Sequence, residues 1–254
     1  MADRIRASAP GKVVLSGEYA VLNGAPAICM AVNRRAEVAI ELTPDEHHVV
    51  FAPGHVDEPR RFLVRRGVFG WLDSSDDFKL LEHIWRASGL ERQGGLSLRL
   101  DTSAVLDPVR GCKTGIGSSA ALAVALAFAL HELSPDNGDP LDTAHQGHVG
   151  FQGGLGSGVD IATSATGGLV EYQMQDRSAA RLAMPDGLEC RLFWSGSPAS
   201  TGTKLERLSS HGPQPSIDAL VYSSRRMASA WESASATAVL AEYREYIKVL
   251  QEFS

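Results

Sequence analysis

The run Lys113-Thr-Gly-Ile-Gly-Ser-Ser-Ala-Ala121 restricts this chain more than any other feature, because it feeds directly into an Ala- and Leu-rich segment. That segment predicts a helix over Ser119 to Leu133, ended by Ser134-Pro135. Ahead of it, small side chains let the backbone curl, and Gly115 and Gly117 accept the positive φ values such a curl needs. The helix start adds unpaired N–H groups and the positive end of the helix dipole at the same spot. Together they imply a cradle for phosphate, with Ser118 and Ser119 capping the helix or lending a hydroxyl to a phosphate-bound Mg2+. A capped helix after a flexible turn fits the same residues. The loop is not a Walker A loop, since no Gly-Lys-Ser/Thr closes it, and its glycine spacing differs from the dinucleotide fingerprint.

Two further segments bear on that choice. Pro10-Gly-Lys-Val-Val-Leu-Ser-Gly-Glu-Tyr-Ala-Val21 sets Lys12, Glu18 and glycines on a turn at Pro10-Gly11 between short strands, Ile5 to Ala9 and Val13 to Leu15. A lysine there is suited to countering charge on a transferring phosphoryl group, or is simply solvated. In Gly153-Gly-Leu-Gly-Ser-Gly-Val-Asp160 the aspartate closes a glycine-rich loop. It either accepts a proton from a substrate hydroxyl or caps the next helix.

The remaining chain reads as strands mixed with helices at irregular intervals, an α+β pattern. Val32 to Leu42, Leu96 to Leu100, Leu169 to Tyr172 and Leu192 to Trp194 read as strands. Helices are expected over Phe78 to Ser88, stopped by Gly89, over Pro140 to Phe151, and in two segments toward the C-terminus. The polar stretch Gln173 to Gly187 reads as a boundary, giving lobes at 1–175 and 185–254. His47-His48 reads as loop with no matching metal ligands. Trp71, Trp85, Trp194 and Trp231 read as packing residues.

A length of 254 residues is enough for a full core in one large domain or two closely packed ones. A net charge of −6 excludes a global basic field for nucleic acid, so an anionic substrate needs local donors. Cys29, Cys112 and Cys190 form neither a disulfide framework nor a CxxC pattern, which implies free thiols. With no secretory signal and no apolar run of membrane-spanning length, a cytoplasmic protein without membrane partners is expected.

Taken together, the three motifs resemble those of the GHMP kinases. Pro10 to Val21 matches P-G-K-V-x-L-x-G-E-Y/H-x-V, Gly115 to Ala121 matches G-L/I-G-S-S-A-A, and Gly156 to Asp160 matches G-S-G-x-D. The Lys113-Thr114 lead and the run from His148 through Gln152-Gly153 to Asp160 resemble the phosphomevalonate kinase branch. Mevalonate kinases carry a Glu upstream of the third motif as a second Mg2+ ligand; here that helix offers His145, Gln146, His148 and Gln152.

The resemblance implies a ribosomal-protein-S5-like N-terminal lobe, a ferredoxin-like C-terminal lobe, and ATP with Mg2+ as cofactors. It implies that Lys113, Gly115, Gly117, Ser118, Ser119 and the Ala120 backbone hold the phosphates, with the Ser119 hydroxyl on the metal side. Lys12 and Asp160 are implied as the catalytic pair, and Glu18, Tyr19 and Ser157 as acceptor-side positions. Ser200, Thr201 and Lys204, in the loop after Trp194, are candidates for holding the acceptor's anionic end. The expected partners are ATP and a small anionic or hydroxylated substrate, with a homodimer left open. A further glycine-rich motif resembling S-G-A-G-G-G is absent after Gly158, and the chain ends in helical sequence at Glu252-Phe253-Ser254, so a C-terminal lobe cut short is expected. A kinase acting on 5-phosphomevalonate is the leading expectation. Kinases acting on mevalonate, a sugar or homoserine, a non-catalytic ATP-binding homologue, and a related decarboxylase are the alternatives.

Overall fold

A computed structural model describes residues 4–73, 77–92, 94–107, 111–154, 156–196 and 217–253. The chain forms two compact units, Met1–Gly11 with Asn33–Gly156 and Lys12–Val32 with Ser157–Ser254. Strands β1 (Arg4–Ser16) and β2 (Ala27–Thr43) contribute residues to both.

In the first unit, β3 (His48–Phe51), β4 (Arg60–Arg65), β5 (Val68–Trp71) and β6 (Gly95–Asp101) follow the order β5-β4-β3-β6-β2. The β3–β6 pair is parallel, and the β3–β4, β4–β5 and β2–β6 pairs are antiparallel, so the sheet is mixed. Helices α1 (Lys79–Ser88), α2 (Ser118–Leu133) and α3 (Pro140–Phe151) pack on one another, and α2 also meets β6. That surrounding explains why α2 lacks a polar face: from Ala120 to Leu130 only Leu122 and Phe128 escape burial. Gly89 ends α1 in the left-handed conformation at φ 60°, and Asp139 caps α3 by accepting from the Leu141 N–H at 2.8 Å.

In the second unit, β7 (Leu169–Gln173) pairs with β2 through Ala27 to Met30, and β8 (Ser178–Leu182) pairs with β7, all antiparallel. Helix α4 (Val159–Thr166) packs on β7 and β8. Helices α5 (Ile217–Glu232) and α6 (Ala236–Phe253) pack together, and α5 meets the 3-10 turn Ala20–Asn23. Leu220, Met227, Trp231, Val239 and Tyr246 are buried there with Ala20 and Ile28.

Several expectations are corrected. There is no turn at Pro10-Gly11; β1 runs straight through both residues. Among the described residues β1 pairs with β2 and with no other strand, the edge position in which a strand tolerates proline. The stretch read as a polar boundary contains β8. Leu192 to Trp194 is not a strand: no strand pairs with it among the described residues, and Phe193 is 89% exposed.

His48 is no loop residue either. It opens β3, buried with ring centroids 4.9 Å from Phe62 and 4.8 Å from Trp85. Burial, helped by Arg92 and His47, pushes its pKa down to about 4 from 6.5. The folded state therefore prefers the neutral ring, whereas the unfolded chain takes up a proton below pH 6.5. Stability is expected to fall from about pH 6.5 toward pH 4, by at most about 1.4 kcal/mol per pH unit from this group. Urea unfolding at pH 7 and pH 5 checks this, because His48→Leu should flatten the acid-side loss.

Candidate active site

The phosphate-loop residues lie in the first unit. Lys113 is exposed and bridges Leu106, while the Thr114 hydroxyl donates to the Val105 carbonyl at 2.8 Å, fixing the start of the loop. Gly115 and Gly117 adopt φ +80° and +77°, and Gly117 is the N-cap of α2. Neither Ser118 nor Ser119 caps the helix, because no side-chain hydrogen bond closes its N-terminus. Ser119 Oγ instead lies 3.1 Å from Nε2 of His148, a buried residue of α3. A left-handed turn before an uncapped sixteen-residue helix leaves N–H donors for an anion, which fits a polyphosphate. Among the described residues no group of three or more His, Cys, Asp and Glu could hold a metal ion.

The second unit holds the catalytic candidates. Lys12 is half-buried in β1, and Asp160 stands in the first turn of α4, with Gly158 as N-cap at φ 82°. Asp160 is thus not the cap; its Oδ1 accepts from the Ile161 N–H at 3.1 Å. Both charges, with that of Glu18, influence the thiol of Cys29, a buried residue of β2. Burial pushes that thiol up to about 12, against the opposing effects of Lys12 and of a hydrogen bond with Thr163; Asp160 and Glu18 push it further up. Cys29 is therefore a thiol at neutral pH, not a nucleophile.

The Ser157 carbonyl accepts from the Tyr172 hydroxyl at 2.8 Å, and its Oγ accepts from the Val159 N–H at 3.4 Å, so the loop before Asp160 is tied to β7. Glu18 Oε2 accepts from the Tyr246 hydroxyl at 2.6 Å. The Tyr19 and Phe253 rings lie 5.6 Å apart. Ser200, Thr201 and Lys204 lie outside the described residues. Sequence reasoning missed Cys29, Thr163, Tyr172 and Tyr246, none of which carries a motif.

Comparison with known proteins identifies the family. Residues 79–168 match the family model of the GHMP kinases N terminal domain. The chain is 30% identical to a phosphomevalonate kinase of a Streptomyces species, over 93% of this chain and 75% of that enzyme. It is 31% identical to a mevalonate kinase of Thermococcus sibiricus, over 67% of this chain and 52% of that enzyme. The chain thus spans about half the length of the latter. Its fold is similar to that of Streptococcus pneumoniae phosphomevalonate kinase in complex with phosphomevalonate and AMPPNP, with a TM-score of 0.78 at 18% identity. That match covers 98% of this chain and 80% of that one. The chain belongs to the GHMP kinase family.

Proposed function

We propose that this chain is an ATP-dependent phosphotransferase of the mevalonate pathway that acts on 5-phosphomevalonate. The observation that carries the phosphotransferase reading is the uncapped, left-handed glycine turn at the start of α2, a polyphosphate site built from backbone. The choice of acceptor is supported by 30% identity to a phosphomevalonate kinase over 93% of the chain.

In this reading the N–H groups from Gly115 to Ala120, with Lys113, hold the ATP phosphates, and the Ser119 hydroxyl stands on the metal side. Mg2+, when bound, supplies charge neutralisation on the phosphate oxygens. Lys12 stabilises charge on the group in transfer. Asp160 orients the acceptor and, for a hydroxyl acceptor, takes its proton. An acceptor phosphate dianion is already nucleophilic, so on 5-phosphomevalonate Asp160 works mainly by positioning. Glu18, Tyr19 and Ser157, with Ser200, Thr201 and Lys204, belong to the acceptor side. In this reading the nucleotide lobe is 1–175 and the C-terminal lobe 185–254, which assigns Lys12–Val32 and the start of the Ser157–Ser254 segment of the second compact unit to the nucleotide lobe.

A mevalonate kinase is the second reading, favoured by the Thermococcus relative. Against it, the helix before Asp160 carries no Glu. The deciding experiment is coupled ADP release with MgATP and mevalonate, 5-phosphomevalonate, homoserine or several sugars. Turnover is expected on 5-phosphomevalonate and is expected to collapse in Lys12→Met. Turnover on mevalonate alone supports the second reading, and silence with ATP still bound identifies a non-catalytic homologue.

A further inference from the structure

The segment that follows the Lys12 strand is strained. Gly17 has φ +92°, and a Cβ there would lie 2.5 Å from the Ala27 Cα and 2.6 Å from the Pro26 carbonyl oxygen, so only glycine fits. Two residues on, Tyr19 has φ 61° and ψ −44°, and the Ala20 N–H donates to the Glu18 carbonyl at 2.7 Å. That is a γ-turn of the rare, strained kind, centred on a bulky side chain. Strain of this sort persists only where the surroundings over-determine it.

Helix α6 supplies the surroundings. The Tyr246 hydroxyl accepts from the Gly17 N–H at 2.8 Å and donates to Glu18 Oε2 at 2.6 Å, gripping the turn from both sides of the Gly17–Glu18 peptide. Phe253, two helical turns on along the same face, packs against the Tyr19 ring. Tyr246 is 1% exposed, so solvent does not compete for these bonds. Its phenol is pushed well above the ordinary range by burial, the Glu18 charge and the bond to Glu18, and therefore remains a donor at any physiological pH. Glu18 Oε1 has no protein partner among the described residues. Glu18 stands two residues past the end of β1, the strand that carries Lys12, so the gripped carboxylate is held close in the chain to that lysine.

We infer that Tyr246 is a positioning residue for phosphoryl transfer: it clamps the strained turn so that Glu18 presents one fixed and one open carboxylate oxygen, the open one to a hydroxyl of the acceptor. This rests on the kinase reading and on Glu18 serving the acceptor side. It makes helix α6 part of the acceptor site without touching the acceptor.

The test is a double-substitution cycle of Tyr246→Phe and Glu18→Ala, read as kcat/KM for 5-phosphomevalonate and KM for ATP, with thermal unfolding in parallel. Tyr246→Phe keeps the ring and removes the clamp. It is expected to lower acceptor kcat/KM about tenfold, the scale of one lost hydrogen bond to a charged group, and to leave KM for ATP unchanged. In the Glu18→Ala background, where no side-chain oxygen is left to hold, the same substitution is expected to cost less than twofold. Equal losses in both backgrounds, or no loss from Tyr246→Phe, would overturn the inference. Should Tyr246→Phe not fold, Glu18→Asp, which shortens the reach to the phenol, is expected to show the same tenfold loss; full activity there overturns the inference as well. A wild-type protein silent on every acceptor overturns the kinase reading and the inference together. An active wild type with additive substitutions overturns the inference alone.

Discussion

Asp160→Asn is expected to lower kcat on 5-phosphomevalonate about 100-fold while ATP binding is unchanged. Asparagine keeps an oxygen for the Ile161 N–H and fits the first turn of α4, so the fold should be preserved. In the proposed reading what disappears is the negative charge and the hold on the acceptor, and a misplacement of the order of 1 Å costs about 10²-fold in a reaction that depends on positioning. With a hydroxyl acceptor the same change also removes a base, and a loss of about 10³–10⁴-fold is expected instead. Steady-state kinetics on both acceptor types, with ATP affinity measured by calorimetry, separates the two roles. A variant that binds ATP normally and keeps more than a third of kcat would remove Asp160 from the site.

Trp85→Ala is expected to destabilise the first unit by about 3–5 kcal/mol, the range for truncating a buried Trp. Trp85 is 2% exposed and sits 5.1 Å from Phe62, 6.3 Å from Phe69 and 4.8 Å from His48, ring centre to ring centre. Its indole N–H also donates to the Leu90 carbonyl at 3.2 Å, the bond that holds the chain leaving α1. Alanine would leave a large cavity and an unpaired carbonyl, two penalties that add. The unfolding midpoint should drop on the order of 10 °C. Trp85→Phe, which fills most of the space but cannot donate, should lose much less. A Trp85→Ala protein within about 1 kcal/mol of wild type would mean that the aromatic cluster is not the core of this unit.

Where sequence and structure agree, the information is local. The helix expected at about Pro140 to Phe151 is observed there, with proline at its first position and Asp139 as its cap. Gly89 and the Gly115–Gly117 turn were legible for the same reason, since a positive φ is a property of one residue. The hairpin of β4 and β5 carried a weaker signal. Its two-residue turn is Arg66-Gly67, at φ 53° and 72°, where the usual first residue would be Asn or Asp, so the alternation in Arg60 to Trp71 stood without its punctuation. The continuity of β1 through Pro10 was not legible, because a proline is acceptable or forbidden in a strand according to which edge is open. That is a fact about neighbours.

The sequence by itself determined the glycine turn before α2, the family and the catalytic candidates Lys12 and Asp160, since each rests on consecutive residues whose backbone preferences and charges act within a few ångströms. Only the tertiary structure decided what surrounds them. Ser119 meets His148 across 29 residues, Cys29 is buried in β2, and Tyr246 reaches Glu18 across 228. Such pairs leave no periodicity or spacing in the chain, because they are chosen by how helices and sheets pack and not by the residues on either side.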